Sequence, residues 1–232
     1  MASEIRRLSL GGMGNFSCYL IKTDSGYILI DTGVPALRDV LEQELASAGC
    51  VPGNLKLIIL TNGGMDATGN CAYIREKYGA KVAVHHRDSD MVEYGTKNDR
   101  EWKTPFYQIV SVLTKPLAKK MLAALVRFKP DLRIDESFDL SEYGFNAKII
   151  HVPGYTPGSI GILTPEGDFF SGNTITHSAG TYISPYVLTT YAELGASLEK
   201  LKQLAIKTVY PCIGKPFPME QFIKSQETKR LR

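Results

Sequence analysis

The sequence predicts an α/β fold in which two mixed β-sheets pack face to face beneath outer helices, a four-layer αββα sandwich. Three observations predict it. Strand and helix signatures alternate along the 232 residues. The segment from Tyr19 to Gly33 is echoed by Gly161 to Asn173, each reading strand, turn, strand and small polar loop. Leu55 to Leu60 is an apolar run broken only by Lys56, suited to a strand covered on both faces. Two matching units of this type imply two packed sheets whose polar loops meet at one edge.

The elements follow in order. Tyr19–Lys22 and Tyr27–Ile30 flank Asp24-Ser25-Gly26 and read as a hairpin. Pro35 opens a helix with apolar residues at 37, 40, 41, 45 and 48, and Gly49 stops it. After the Leu55–Leu60 strand, Cys71, Ile74 and Tyr78 carry helical spacing up to Gly79, and Lys81–Val84 reads as another strand. In the second half, Ala147–Val152 is apolar and β-rich. Ile160–Thr164 and Asp168–Phe170 flank the turn Pro165-Glu166-Gly167. Leu194, Leu198, Leu201 and Ala205 give a helical stripe, and Thr208–Tyr210 a last strand.

Residues 88–135 do not fit this scheme and read as a helical insertion in a single domain. Val110 to Phe128 is apolar with Lys115, Lys119, Lys120 and Arg127 interspersed, and Pro116 divides it into two helical pieces. Three readings apply: a helix packed on its own domain, a lid over a pocket, or a basic face lying on a membrane surface.

Composition narrows the functional classes. Hydrophobic content of 44% and charged content of 22% describe an ordinary globular protein. At this length roughly 70% of the extended-chain surface is expected to be buried. A net charge of +3, with no basic run interleaved with aromatics, argues against nucleic acid. The first residues lack the apolar core of a signal peptide, and no window reaches the roughly 18 apolar residues of a membrane span. Cys18, Cys50, Cys71 and Cys212 are scattered without a CxxC pair and read as buried reduced thiols. A cytoplasmic protein is expected; the oligomeric state stays open, a dimer included.

The most informative stretch is Thr61-Asn62-Gly63-Gly64-Met65-Asp66-Ala67-Thr68-Gly69-Asn70. It resembles the T-H-x-H-x-D-H-x-G signature of the metallo-β-lactamase superfamily, with every histidine replaced and the aspartate kept. Four more segments carry the same resemblance in order. Ile30-Asp31-Thr32-Gly33 is similar to the first motif. His151-Val-Pro-Gly-Tyr-Thr-Pro-Gly-Ser159 is similar to the third, usually H-x-P-G-H-T-P-G-S. Phe170-Ser-Gly-Asn173 is similar to the fourth, usually F-S-G-D, and Val209-Tyr-Pro-Cys-Ile-Gly214 to the fifth, usually V-Y-P-G-H-G. The resemblance implies the family's αββα fold and a site where its loops meet.

It also implies seven ligand positions, and these hold Asn62, Gly64, Asp66, Ala67, Tyr155, Asn173 and Ile213. Zinc takes three or four Cys, His or carboxylate ligands, and only Asp66 qualifies. A structural zinc site contributes on the order of 10–16 kcal/mol, which one carboxylate does not approach. A zinc-bound hydroxide needs the metal to bring its water's pKa from 15.7 to about 7. No metal site and no cofactor are therefore expected. Replacing one of two neighbouring carboxylates by Asn173 suits a site with no cation to offset their repulsion. The small Gly64 and Ala67 leave either a roomier pocket or space that Tyr155 and Met65 fill.

The expected function is binding of a small organic ligand or a partner in the former pocket, through Asn62, Asp66, Tyr155, Asn173, His177 and Cys212. Two alternatives stand beside it. One is a divergent hydrolase of esters, thioesters or lactones, with Asp66 as general base and Tyr155 as weak acid, or Cys212 paired with His177 or His151 as a nucleophile. A rebuilt metal site from Asp66, His177, Cys212 and the asparagines belongs to this class. The other is a non-catalytic assembly subunit. His151 reads as structural, and His85-His86 as a packing pair at a strand end.

Overall fold

The computed structural model describes residues 4–12, 15–95, 126–178, 182 and 189–230. One sheet runs in spatial order β1 (Glu4–Gly11), β2 (Phe16–Thr23), β3 (Gly26–Ile30), β4 (Leu55–Leu60), β5 (Lys81–His85) and β6 (Leu132–Ile134). β1, β2 and β3 are antiparallel, and β3 to β6 parallel. The other sheet runs β11 (Phe217–Pro218), β10 (Thr208–Pro211), β9 (Asp168–Gly172), β8 (Ile160–Leu163) and β7 (Lys148–His151). Its β9 and β10 are parallel and its other pairs antiparallel.

The helices are α1 (Arg38–Ser47), entered through a 3-10 turn at Pro35–Leu37, α2 (Met65–Thr68), α3 (Cys71–Tyr78), α4 (Ser89–Tyr94), α5 (Tyr191–Lys202) and α6 (Met219–Arg230). Glycine stops α3 as expected: Gly79 takes φ +71 and its N–H returns to the Arg75 carbonyl. Thr190 caps α5 by accepting from the Glu193 N–H.

The strand period assigns the layers. Ile28, Ile30, Leu57, Ile59 and Ala83 face the second sheet and meet Ile149, Ile160, Ile162 and Phe170. Their sequence neighbours Leu29, Ile58, Leu60, Val82 and Val84 point the other way and pack against Leu41, Leu45 and Ile74 of α1 and α3. On the far side, Phe169 and Val209 pack against Leu194, Leu198 and Leu201 of α5 and Phe222 of α6. The parallel β4 is thus apolar on both faces, which is why it reads as a run and not an alternation. Each such side chain, fully buried, contributes about 1.5–3 kcal/mol. The two halves of the internal echo become β2–β3 and β8–β9, one antiparallel pair in each sheet.

Several elements differ from the sequence expectation: β1, α2, β11 and α6 carried none, and β6 is a strand where the end of the 88–135 segment reads as helical. In β1 the adjacent Arg6 and Arg7 interrupt the alternation, and only Leu8 and Leu10 are buried. β6 and β11 are three and two residues long, too short for a periodic signal. α6 carries a mostly polar sequence anchored through Met219 and Phe222. Of the segment 88–135, the start forms α4 and the end supplies β6 to the first sheet. Residues 96–125, with Pro116 and most of the apolar basic stretch, lie outside the described residues. Among the described residues no helix is long and apolar enough to cross a membrane.

Candidate functional site

The loops that leave β3, β4, β7, β9 and β10 meet at one edge of the sandwich. The first of them is strained: Asp31 takes φ +61, a left-handed conformation unusual for a residue with a Cβ. Its carboxylate supports that bend by accepting from the Thr61 N–H at 2.8 Å and the Thr61 hydroxyl at 2.7 Å. Burial pushes the Asp31 carboxyl up to about 7, against the lowering effect of the Thr61 bonds and with a further push from Asp66.

The residues at the ligand positions form a chain of hydrogen bonds. Asn62 donates from Nδ2 to Asn173 Oδ1 at 2.9 Å and to Thr61 Oγ1 at 3.0 Å. Asn62 Oδ1 accepts from the Gly64 N–H at 2.8 Å. Asn173 Nδ2 donates to Asp66 Oδ2 through a short bond, and the Tyr155 hydroxyl donates to Asp66 Oδ1 at 3.3 Å. Asn62, Tyr155 and Asn173 are buried, while Asp66 and Met65 are half-buried. Burial raises the Asp66 carboxyl above its ordinary value, opposed first by the Asn173 bond and then by its own backbone N–H and the Tyr155 hydroxyl.

This arrangement does not fit the family's zinc pair. The side-chain oxygens of Asn62, Asp66 and Asn173 each already accept a hydrogen bond from within the network. Gly64 leaves no room for a larger residue. A Cβ there would lie 2.7 Å from Asn62 Oδ1, 2.8 Å from Asp66 Oδ1 and 3.2 Å from Tyr155 Cε1. The space beside Gly64 is therefore occupied by its neighbours, Tyr155 among them. The one buried side-chain polar atom without a partner among the described residues is Thr174 Oγ1, which is not at a ligand position. No group of three or more His, Cys, Asp or Glu among the described residues is placed to hold a metal ion.

The remaining candidates are distributed differently. Cys212 is buried at the end of β10, where its N–H reaches the Gly172 carbonyl and its own carbonyl accepts from Ser17. Burial, then the negative Asp66 and Asp31, push its thiol well above the ordinary range, the opposite of what a thiolate nucleophile needs. His177 stacks on Tyr182 with centroids 4.8 Å apart and meets Phe217 edge-on at 5.1 Å. His151 is stacked on His85, with centroids 4.4 Å apart. Asp66 and Tyr155 are thus brought into hydrogen-bond contact, while the ring contacts of His177 and His151 are to other aromatic rings. All four cysteines are buried and free.

Sequence reasoning missed Asp88. Its Oδ2 accepts from the Gly63 N–H at 2.8 Å and from the Thr156 hydroxyl, and its Oδ1 accepts from the Gly158 N–H at 2.7 Å. One carboxylate thereby ties the loop carrying Asn62 and Gly64 to the loop carrying Tyr155. A Cβ at Gly158 would lie 2.6 Å from the Asp88 carboxyl carbon, so that glycine admits the clamp. The signal was an acid straight after a strand end, with no partner at short sequence distance to reveal it.

Comparison with known proteins agrees with this architecture. Residues 11–212 match the family model described as the metallo-beta-lactamase superfamily. The "Metallo-beta-lactamase domain-containing protein 1" of Rattus norvegicus is 40% identical over 65 residues, 28% of this chain and 26% of that protein. The "Hydroxyacylglutathione hydrolase GloC" of Haemophilus influenzae is 25% identical over 153 residues, 65% of this chain and 61% of that protein. A "Beta-lactamase-like protein 2 homolog" of Drosophila melanogaster is 27% identical, with 84% of this chain and 57% of that protein covered. The chain thus spans less than two thirds of each of these relatives. Among solved structures, a metallo-beta-lactamase family protein from Thermus thermophilus superposes with a TM-score of 0.71 at 20% identity. That match covers 99% of this chain and 80% of the other. An archaeal superfamily protein from Sulfolobus tokodaii gives 0.65 at 15% identity, over 98% and 86%. These likenesses are to the fold.

Proposed function

Because this chain belongs to the metallo-β-lactamase superfamily and fills the family's metal positions with an amide and carboxylate network, we propose that it is a metal-free, cytoplasmic binding protein. Its ligand is a small polar organic molecule held at the former metal site. The observation that carries this reading is the continuous chain Gly64–Asn62–Asn173–Asp66–Tyr155, in which each amide and carboxylate oxygen is satisfied by a neighbouring donor. Such a network is stable without a cation, whereas a vacated metal site leaves buried lone pairs unmatched at about 1–3 kcal/mol each. Asp66 is the half-buried member, so an incoming ligand meets a carboxylate that still has acceptor capacity. The ligand class is one that donates: an amine, amide or hydroxyl compound.

The test has two steps. Metal content is measured by elemental mass spectrometry on protein purified without chelators, before and after dialysis against zinc. Below about 0.1 equivalent in both samples is expected from a set with one carboxylate donor. A thermal-shift screen of amines, amides and polyols then follows on wild type and Asp66→Asn. Stabilisation of wild type and not of the variant supports the reading. Near one equivalent of zinc, lost on Asp66→Ala, overturns it.

A second reading is favoured by one observation. The Asp66 carboxyl is raised by burial and bonded to a phenol, as suits a general base with a weak acid beside it. The likeness to a protein named hydroxyacylglutathione hydrolase points to thioesters first, with esters and lactones beside them. Metal-independent turnover abolished by Asp66→Ala and reduced by Tyr155→Phe selects this reading over pure binding. Turnover in neither form, with a co-purifying partner, selects an assembly role.

A further inference from the structure

Three of the four histidines in the chain converge on one cleft of about 380 Å³, lined by His85, His86, Arg87, Asp135, Glu136, Ser137 and His151. The cleft lies where the sheets end side by side. His85 closes β5 of the first sheet, and His151 closes β7 of the second. Their rings stack across the sheets at 4.4 Å with an interplanar angle of 4°. His86 lies on the same His85 ring, at 4.4 Å and 30°.

The hydrogen bonds specify a neutral His85. Its Nδ1 accepts from the Arg87 N–H at 3.3 Å, a bond that a proton on Nδ1 abolishes. His85 is 2% exposed, so an imidazolium there has little water to solvate it. Acids also face the stack, and Asp135 opposes the lowering of His85, but it is the smallest of these influences, behind burial and the positive neighbours. Asp135, beyond β6, is engaged by the Ser137 N–H and hydroxyl. Glu136 accepts from the His151 N–H at 3.0 Å and from Lys200 of α5 at 2.8 Å. Lys200 also reaches the His151 carbonyl, and His151 Nε2 is bonded to the Pro157 carbonyl. Arg87 on the His85 side and Lys200 on the His151 side add positive charge, and Asp88 follows in the same turn.

That turn connects the stack to the site. The Asp88 N–H bonds the His85 carbonyl at 2.9 Å, and the Asp88 carboxylate holds Gly63 and Gly158. We propose that the His85–His86–His151 stack is a proton-operated latch between the two sheets. Closed while His85 is neutral, it keeps Asp88 against the two site loops; a proton on His85 opens it and releases them. Burial first, then the positive potential of His151, His86 and Arg87, bring His85 down to about 4 in the closed form. A group with a depressed imidazole pKa favours the closed state above its ordinary value, about 6.5, and loses that preference as pH falls toward 4. The open population therefore rises by up to about tenfold per pH unit in that window, roughly two orders of magnitude in all. This inference does not depend on which ligand the site takes.

The test is amide hydrogen exchange on the full chain from pH 7 to pH 4.5, corrected for intrinsic rates. Protection at Gly63 and Gly158 is expected to fall by up to about tenfold per unit below pH 6 while Ile58 in β4 keeps its protection. His85→Phe, which keeps a stacked ring without a titrating nitrogen, is expected to abolish the fall. Equal loss at Ile58 overturns the latch, because it marks global acid unfolding. So does unchanged protection at the two glycines, or a His85→Phe profile that matches wild type. If His85→Phe does not fold, carbon-detected titration of His85 in the wild type decides. A midpoint near 4, with Gly63 and Gly158 amide shifts following the same curve, supports the latch, and a midpoint near 6.5 overturns it.

Discussion

Replacing Asp88 by alanine isolates what ties the two site loops together. The residue is 1% exposed, and its carboxylate accepts from two backbone N–H groups and one hydroxyl. The Thr156 hydroxyl keeps an alternative partner, Ser159 Oγ at 2.8 Å, so truncation orphans the Gly63 and Gly158 N–H groups. Each buried unsatisfied N–H costs about 1–3 kcal/mol, giving about 2–6 kcal/mol and a central figure of about 4. Burial raises the Asp88 carboxyl despite its three donors, so relief of that desolvation offsets part of the loss and argues against the upper end. At this length a kcal/mol moves the thermal midpoint by about 2–4 °C, so about 4 kcal/mol predicts a drop of about 8–16 °C. The assay is thermal unfolding followed by circular dichroism, with urea denaturation to compare m-values. Asp88→Asn is expected to cost less, since one oxygen remains to accept. A drop under about 3 °C for the alanine variant refutes the reasoning, because it means water replaces the carboxylate at both N–H groups.

Three further outcomes are expected. Gly64→Ala places a methyl 2.7 Å from Asn62 Oδ1 and 2.8 Å from Asp66 Oδ1. It should destabilise by about 1–3 kcal/mol as the network gives way, and an unchanged urea midpoint counts against a closed site. Asp31, raised to about 7, holds its proton in the native state where the unfolded chain has lost it. Its contribution to stability is therefore present near pH 4 and lost as pH rises toward 7; Asp31→Asn should flatten that slope in a pH series of melting curves, separately from the opposite slope of His85. The four thiols are buried. At pH 7.5 a disulfide reagent should label none rapidly in the folded protein and all four after unfolding; rapid labelling of Cys212 would restore the nucleophile reading.

Much of the fold was legible because its signals are local. The hairpin turn at Asp24-Ser25-Gly26 between β2 and β3, the double-faced run of β4, and the glycines at 49 and 79 all act within a few residues of themselves. The altered motif at Thr61–Asn70 was equally legible, since losing histidine at a ligand position removes a chemical capability whatever surrounds it. Strands β1, β6 and β11 were not legible, because short or charged edge strands take their conformation from a neighbour's hydrogen bonds.

The sequence by itself thus determined the family, the layer order and the absence of the family's zinc donors. Only the tertiary structure decided how the site closes without them. The Asn62–Asn173 bond spans 111 residues and the Tyr155–Asp66 bond 89, while the Asp88 contacts to Gly158 and Thr156 span 70 and 68. It also decided that His85 and His151 share a stack, when each alone read as ordinary packing. The reason is physical: hydrogen bonds and ring contacts act over a few ångströms, and which side chains come that close is set by strand order and register, not by spacing along the chain.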